Sequence, residues 1–246
     1  MRICIISPTP ITDKKKWGGV HTHTEMLCNI ITKLGHEATL LTTSHPKGLS
    51  EEWYNGIHIN YIREVESTFI NGKDFQRVKE AFLNLHMQNP FHCIFSEGNS
   101  ACMLKKDKTA WNLPLFNIVH IPGFTHFYNN WKEVCSVRIL ISYLLKTVPK
   151  ILYRILFREI PLARSSTKVL SVSALKAKQL CKFYNVSPEK VVVLNNWVDT
   201  KIFKPDNKKR SNLHYSQTKQ LVRKQLELLL NFRKLIPINY RMRKTI

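Results

Sequence analysis

Short apolar runs alternate with longer amphipathic segments through residues 1–205 of the chain. Short runs of apolar residues predict buried strands, and apolar residues that recur every three or four positions predict helices. The predicted strands cover residues 2–7, 38–43, 57–62, 91–96, 115–120, 168–173 and 190–195. One predicted helix begins near Val20, a second covers residues 73–87, and a helix-like stretch follows Gly98. This alternation predicts an α/β fold with a Rossmann-like, doubly wound parallel sheet.

A glycine pair, Gly18 and Gly19, separates the first predicted strand from the first predicted helix. Helix N-termini carry a partial positive charge and unpaired N–H groups, so they suit a phosphate or a carboxylate. The pair therefore indicates a ligand-binding loop. The alternative is an ordinary strand-to-helix turn.

Three polar residues stand at the ends of predicted strands: Glu97, His120 and Asn196. In a doubly wound sheet, ligands bind beyond the carboxyl ends of the strands, so we expect these residues to converge there with the glycine pair. A neutral imidazole at His120 could both donate and accept hydrogen bonds to a ligand there. The alternatives are a histidine packed against Pro122, and a capping or solvent role for Glu97.

A metal site is not expected. His21, His23 and Glu25 lie close together in the sequence, but on a helix His23 points away from the other two, which leaves only two ligands. No cofactor is expected either.

Composition narrows the class of protein. The 43% hydrophobic content is enough for a folded core, and the six cysteines lack paired spacing, which together with the absence of an apolar leader favours a reducing cytoplasm. The net charge of +21 calls for an anionic partner, such as nucleic acid, anionic lipid or a nucleotide. Specific nucleic-acid binding is not expected, because no recognised motif accompanies the charge.

Residues 206–246 differ in kind from the rest. They hold 11 Lys and Arg residues against two acidic ones and contain no glycine. We therefore predict a domain over residues 1–205 and a basic, helical or disordered tail over 206–246. The abrupt change after Pro205 indicates truncation, for example by a frameshift.

The segment 137–160 is amphipathic. Its cations recur every four residues, at Lys146, Lys150, Arg154 and Arg158. The opposing apolar residues are Leu144, Leu145, Ile151, Leu152, Ile155 and Leu156. The pattern predicts helices lying on an anionic membrane surface and divided at Pro149; two surface helices packed on the sheet are the alternative.

Two segments resemble the N-terminal domain of glycosyltransferase family 4, which has the two-domain GT-B fold. WGGVHTHTEMLCNIITKLGHEATLLT is similar to the family's opening, where a histidine, here His23, stands four residues after the second glycine. VVVLNNWVDTKIFKP is similar to the family's inter-domain junction, although Trp197 replaces the usual glycine. The matching junction residues are Asn196, Val198, Asp199, Phe203 and Pro205.

The resemblance implies a sugar transfer from a nucleotide-sugar to a glycan or lipid-linked acceptor, with retention of configuration and without a metal ion. It places Gly18 and Gly19 at the donor phosphates and makes His120, which would hydrogen-bond the transferred sugar, the candidate catalytic residue. His23 and Glu97 are the further candidate substrate contacts. Asn196 and Asp199 would organise the junction.

We expect no counterpart here of the family's second domain, which carries the nucleotide pocket, a basic pair and two glutamates. Because those cations neutralise the leaving diphosphate, their loss costs several kcal/mol of barrier. We expect a truncated enzyme that is weakly active or inactive alone, in the cytoplasm or on the inner face of the membrane. The alternative is a non-catalytic half-domain that binds acceptor or membrane while a partner chain supplies the donor site.

Overall fold

The computed structural model describes residues 1–12, 18–65, 72–106, 112–123, 141 and 143–196, with backbone only at 105–106. The chain divides into two units, Met1–Leu194 and Asn195–Ile246. Only Asn195 and Asn196 of the second unit are described, and all the described strands and helices lie in the first unit. The predicted boundary at residue 205, the tail and Asp199 lie outside the described residues, and the domain division stays a prediction.

The described part of the first unit contains an eight-stranded, mostly parallel sheet in the order β3-β4-β2-β1-β5-β6-β7-β8. The strands are β1 Arg2–Ile6, β2 Glu37–Thr42, β3 Glu51–Tyr54, β4 Ile57–Tyr61, β5 Cys93–Glu97, β6 Leu115–Val119, β7 Lys168–Ser171 and β8 Val191–Val193. Every neighbouring pair is parallel except β3 and β4. The predicted Rossmann-like α/β fold is confirmed.

All seven predicted strands are present, each within two residues of its predicted ends. Strand β3 was not predicted. It forms a hairpin with β4 through Asn55 and Gly56, whose φ angles are 51° and 78°. Two positive φ angles in a two-residue loop are typical of a type I′ turn, for which Asn-Gly is the preferred sequence. The Asn-Gly pair was therefore a sequence signal for this hairpin.

Five α-helices lie in the described residues: α1 Gly19–Lys33, α2 Gly72–Gln88, α3 Val148–Arg154, α4 Ile160–Ser165 and α5 Ala174–Tyr184. Helices α1 and α2 match the predictions, and Phe75, Val78 and Phe82 of α2 are buried as expected. The helix-like stretch after Gly98 is a short 3₁₀ helix, Cys102–Lys106, and a second one covers Pro188–Lys190.

The predicted break at Pro149 is wrong. Residues 143–165 form one helical run, in which the π-helical turns Tyr143–Thr147 and Ile155–Glu159 precede α3 and α4. Each π turn stands just before a proline, Pro149 or Pro161. A π turn widens the helix locally, which accommodates a residue that lacks an N–H and whose ring crowds the preceding turn. Residues 137–140 and 142 of the predicted segment lie outside the described residues.

The predicted single apolar face on this run is also wrong. Ile151 and Ile155 are buried, whereas the other four predicted apolar residues, Leu144, Leu145, Leu152 and Leu156, are exposed. Each π turn adds a residue to the repeat and rotates the next face of the helix, so a stripe counted with a regular 3.6-residue period does not stay on one side. No described helix has both the length and the apolar content to cross a bilayer.

The order of the strands reverses beside β1. The connection from β1 through α1 leads to β2 on one side, and the connection from β4 through α2 leads to β5 on the other. Because such crossovers are right-handed, α1 and α2 cover opposite faces of the sheet. A crevice therefore opens beyond the carboxyl ends of β1 and β5, where ligands bind in sheets of this kind.

Candidate functional site

Three side chains meet at this crevice. Glu97 Oε1 lies 2.8 Å from His23 Nδ1, and Glu97 Oε2 lies 2.7 Å from His120 Nε2. The two imidazole rings pack edge to face, with their centroids 4.7 Å apart. One carboxylate therefore bridges two histidines that come from different parts of the chain.

The sheet positions all three. Glu97 is the last residue of β5, and His120 directly follows β6. After Glu97 the chain turns at Gly98, which has a φ of +60° and donates its N–H to the carbonyl oxygen of Ile118 at 2.8 Å. That bond ties the end of β5 to β6. His23 reaches Glu97 from the start of α1.

The Glu97 carboxyl is fully buried. Burial opposes its ionisation, but attraction to His23 and the hydrogen bonds with His120 and His23 outweigh burial and lower the pKa of Glu97 from 4.5 to about 2. The group is therefore an ionised acceptor at neutral pH.

A cavity of about 230 Å³ adjoins these residues. It is lined by Pro8, Val20, Glu97, Gly98, Asn99, Asn117, Val119, His120, Ile121, Arg154, Glu159 and Tyr184. The mixture of apolar side chains with hydrogen-bonding groups is typical of a small-molecule pocket.

Arg154, Glu159 and Tyr184, which line the cavity, belong to a hydrogen-bonded network. Tyr184 donates its hydroxyl hydrogen to Glu159, and the N–H of Gly123 lies 2.8 Å from the Tyr184 oxygen and 3.0 Å from Glu159 Oε2. Burial and the Glu159 carboxylate raise the pKa of Tyr184, so its hydroxyl stays protonated. Arg154 Nε lies 2.9 Å from Glu159 Oε1 as an ion pair. This network holds the loop that carries His120.

The sequence model of Glycosyltransferase Family 4 matches residues 17–202, which is more than half of the chain. The chain belongs to glycosyltransferase family 4. No curated protein sequence is significantly similar to it.

Solved structures agree with the family 4 fold. Sucrose-phosphate synthase from Thermosynechococcus elongatus is similar with a TM-score of 0.66 and 13% identity, over 83% of this chain and 50% of that chain. A second structure of this synthase has a TM-score of 0.57 and 10% identity, over 96% of this chain and 99% of that chain. The chain thus spans about half the length of the first synthase structure, and it fits the N-terminal domain of a GT-B glycosyltransferase.

The residues predicted for the functional site of this family 4 chain do not all lie together. His23, Glu97 and His120 come together, and Glu97 lies behind the two histidines rather than at the solvent. Gly18 and Gly19 begin α1 without lining the cavity, which is reached by Val20. Asn196 belongs to the second unit.

The fold does not require glycine at the start of α1. Gly18 is extended, with a φ of −159°, and neither it nor Gly19 has a positive φ. A methyl group added at either position meets no described atom within 4 Å. The open backbone remains compatible with the close approach of a ligand.

His23, Glu97 and His120 are also residue types that bind metals. Among the described residues, these three lie close enough together to form a candidate metal-binding group. Two ligands of one tetrahedral zinc ion, each about 2.0–2.1 Å from the metal, stand about 3.3 Å apart. The separations of 2.7 and 2.8 Å are instead those of charge-assisted hydrogen bonds. His21 does not join the group, because its Nε2 lies 2.9 Å from the carbonyl oxygen of Ile11.

Several residues of the cavity were not predicted: Asn117, Arg154, Glu159 and Tyr184. The Oδ1 atom of Asn117 is buried and has no hydrogen-bond partner among the described residues. A polar residue inside an otherwise apolar strand was a usable signal for Asn117, since buried polar groups call for a partner. The other three come from distant helical segments. The sequence pattern placed Arg154 in the basic stripe of segment 137–160, and no local pattern related any of the three to the ends of β5 and β6.

Proposed function

We propose that this protein transfers a sugar from a nucleotide-sugar donor to a glycan or lipid-linked acceptor. The proposal rests on the position of His120. This residue lines the cavity, and its Nε2 lies 2.7 Å from the buried carboxylate of Glu97. An imidazole fixed in this way presents its other nitrogen to a ligand without first having to be oriented. Membership of family 4 supports the reaction class.

The chemistry of the cavity suits a sugar ring. Asn117 offers a buried oxygen that accepts a hydrogen bond, Arg154 donates, and Val119 and Ile121 supply apolar surface. Sugars need this combination, because their hydroxyls both donate and accept while their C–H faces are apolar. The volume of about 230 Å³ is below the roughly 300–1,000 Å³ of sites for drug-sized ligands. The cavity would hold one sugar ring and leave the nucleotide outside it.

The charges around the cavity favour a domain that transfers the sugar only slowly on its own. Among the described residues that line the cavity, Arg154 is the permanent cation, and it is already paired with Glu159. A departing diphosphate needs cations that are free to meet it. We propose that these come from a second half, with retention of configuration and without a metal ion, as in the family, and that Gly18 and Gly19 meet the donor phosphates.

Binding and turnover test the proposal. We expect UDP-glucose or ADP-glucose to bind the purified protein in saturation-transfer NMR, with slow release of nucleoside diphosphate when simple glycosides are added. His120→Ala removes a contact to the reacting sugar and should lower the release rate about 100-fold. The release of nucleoside diphosphate is measured with a coupled-enzyme absorbance assay.

His92→Ala is the matched control. His92 is an exposed histidine that accepts the N–H of Arg2, near the opposite end of β5 from Glu97. It should leave the release rate unchanged. If no nucleotide-sugar binds at millimolar concentration but a glycoside does, the proposed sugar transfer by this protein is wrong and the non-catalytic half-domain is favoured.

We propose membrane contact as a second function, on a specific observation. The helical run 143–165 exposes apolar side chains at Leu144, Leu145, Leu152, Tyr153, Leu156 and Phe157. Leu145 is 72% exposed and Phe157 is 60% exposed. Lys146 and Lys150 are exposed beside them, while the acidic residue of the run, Glu159, is engaged by Arg154 and Tyr184. Apolar side chains bordered by lysines suit an anionic bilayer surface.

Vesicle co-sedimentation measures this contact. We expect binding to phosphatidylglycerol vesicles at low salt, with about tenfold weaker binding when Leu145 and Phe157 are both replaced by serine, because each loses apolar area in the bilayer. Trp53→Ser, at an exposed aromatic residue on edge strand β3, is the control and should bind as the wild type does. Equal binding by all three proteins, or none by the wild type, would contradict membrane contact through this run.

A further inference from the structure

The Glu97 carboxylate cannot touch a substrate where it stands. Its side chain is 0% exposed, and both of its oxygens are taken by the two histidines. His120, by contrast, keeps 16% of its side chain accessible and lines the cavity. A ligand in the cavity can therefore reach the His120 ring, whereas the Glu97 carboxylate stands behind that ring.

We propose that Glu97 is a positioning residue, which fixes the ring orientation and the tautomer of His120 so that Nδ1 is the nitrogen presented to the sugar. This inference rests on the proposed function only in naming the sugar as the ligand. The positioning role of Glu97 follows neither from the glycine loop nor from the family resemblance.

The tautomer follows from the chemistry of the carboxylate. An ionised carboxylate only accepts hydrogen bonds, so each ring must turn an N–H towards it. The proton of His23 is therefore on Nδ1, and the proton of His120 is on Nε2. A neutral imidazole carries one proton, which leaves His120 Nδ1 with a lone pair. A sugar hydroxyl would donate its hydrogen to this atom.

His23 gives the arrangement its rigidity. It occupies the second oxygen of Glu97, so the carboxylate is held at both ends and cannot rotate towards the cavity. Its ring also packs against His120 at an angle of 86°. Because His23 stands on α1 four residues after Gly19, any shift at the start of that helix would be passed on to His120.

Long-range ¹H–¹⁵N NMR of the histidine rings tests the proposal without any ligand. At pH 8 we expect His120 protonated at Nε2 and His23 at Nδ1. In Glu97→Gln, the amide offers one acceptor and one donor, so one of the two rings must present a lone pair and its proton moves to the opposite nitrogen. The matched control is Glu51→Gln, which changes an exposed glutamate 3.0 Å from His58 and should leave the tautomers of His23 and His120 as they were.

A double-mutant cycle extends the test to binding, with UDP-glucose as the probe. Glu97→Gln should weaken binding up to about tenfold, the usual effect of one misdirected hydrogen bond. The double variant Glu97→Gln with His120→Ala should bind no more weakly than His120→Ala alone, because Glu97 acts through His120. A general loss of structure would instead add to the effect of His120→Ala.

Three results would overturn the proposal. They are a wild-type His120 without a proton on Nε2, a folded Glu97→Gln protein in which both rings keep their tautomers, and tight binding of one Zn²⁺ that is lost in Glu97→Gln. The ring protons of His23 and His120 are assigned in the wild type without any variant. That measurement therefore tests the proposal even if Glu97→Gln does not fold. If the tautomers are as expected but UDP-glucose does not bind, the donor assignment fails and the positioning role stands.

Discussion

Replacing Glu97 with leucine is expected to lower the free energy of unfolding at pH 7 by about 3–5 kcal/mol. The substitution removes the shared acceptor and leaves the buried N–H group of His23 and the partly buried N–H group of His120 facing an apolar side chain. Chemical denaturation followed by circular dichroism measures the loss. The wild type should also lose stability in acid, because ionised Glu97 is favoured in the folded state.

The direction of the pH effect follows from the pKa of Glu97, which folding lowers from 4.5 to about 2. The stabilisation is present above pH 4.5 and is lost as the pH falls towards 2. The difference between wild type and Glu97→Leu should therefore narrow across that interval. In the control Glu51→Leu, an exposed pair with His58 is lost, which should cost less than about 1 kcal/mol. If Glu97→Leu and Glu51→Leu lost the same unfolding free energy, burial would not be what makes the Glu97 contacts strong.

Gly123→Ala is expected to destabilise the protein by about 1–3 kcal/mol. An added methyl carbon would lie 2.5 Å from Ile155 Cγ1 and 2.8 Å from Glu159 Oε2. Ile155 is completely buried, so the helical run or the loop after β6 has to move. Because Gly123 stands three residues after His120, the NMR signals of the His120 ring should shift as well.

Gly19→Ala is the control for this clash. A methyl group there meets no described atom within 4 Å, so stability should change by less than about 1 kcal/mol. Both variants are compared by urea denaturation under the same conditions. A loss below about 0.5 kcal/mol for Gly123→Ala would mean that the contact with residues 155–159 is loose and does not hold the His120 loop.

Much of the fold could be predicted because the relevant signals are local. A parallel strand covered on both faces is a short, nearly continuous apolar run, which is why 2–7 and 115–120 were found from sequence. The helical run 143–165 was predicted less well. A π turn changes the repeat without a local marker in the sequence, and it allowed Pro149 to remain inside the run.

The candidate site divides in the same way. His120 and Glu97 stand at predicted strand ends, and the topology of a parallel sheet brings such ends to one edge. Their mutual arrangement was not accessible from sequence. A pattern gives no distance between a glutamate and two histidines that are 23 and 74 positions away, nor does it tell a substrate contact from a buried acceptor.

The sequence by itself determined the order of strands and helices through most of the chain, the glycosyltransferase family and the edge of the sheet where chemistry is expected, because apolar periodicity and local motifs depend on neighbouring residues. Only the tertiary structure decided that Glu97 is buried between His23 and His120 and that Arg154, Glu159 and Tyr184 wall the cavity. Burial and hydrogen-bond partners arise from long-range packing, which brings together residues that no local pattern relates.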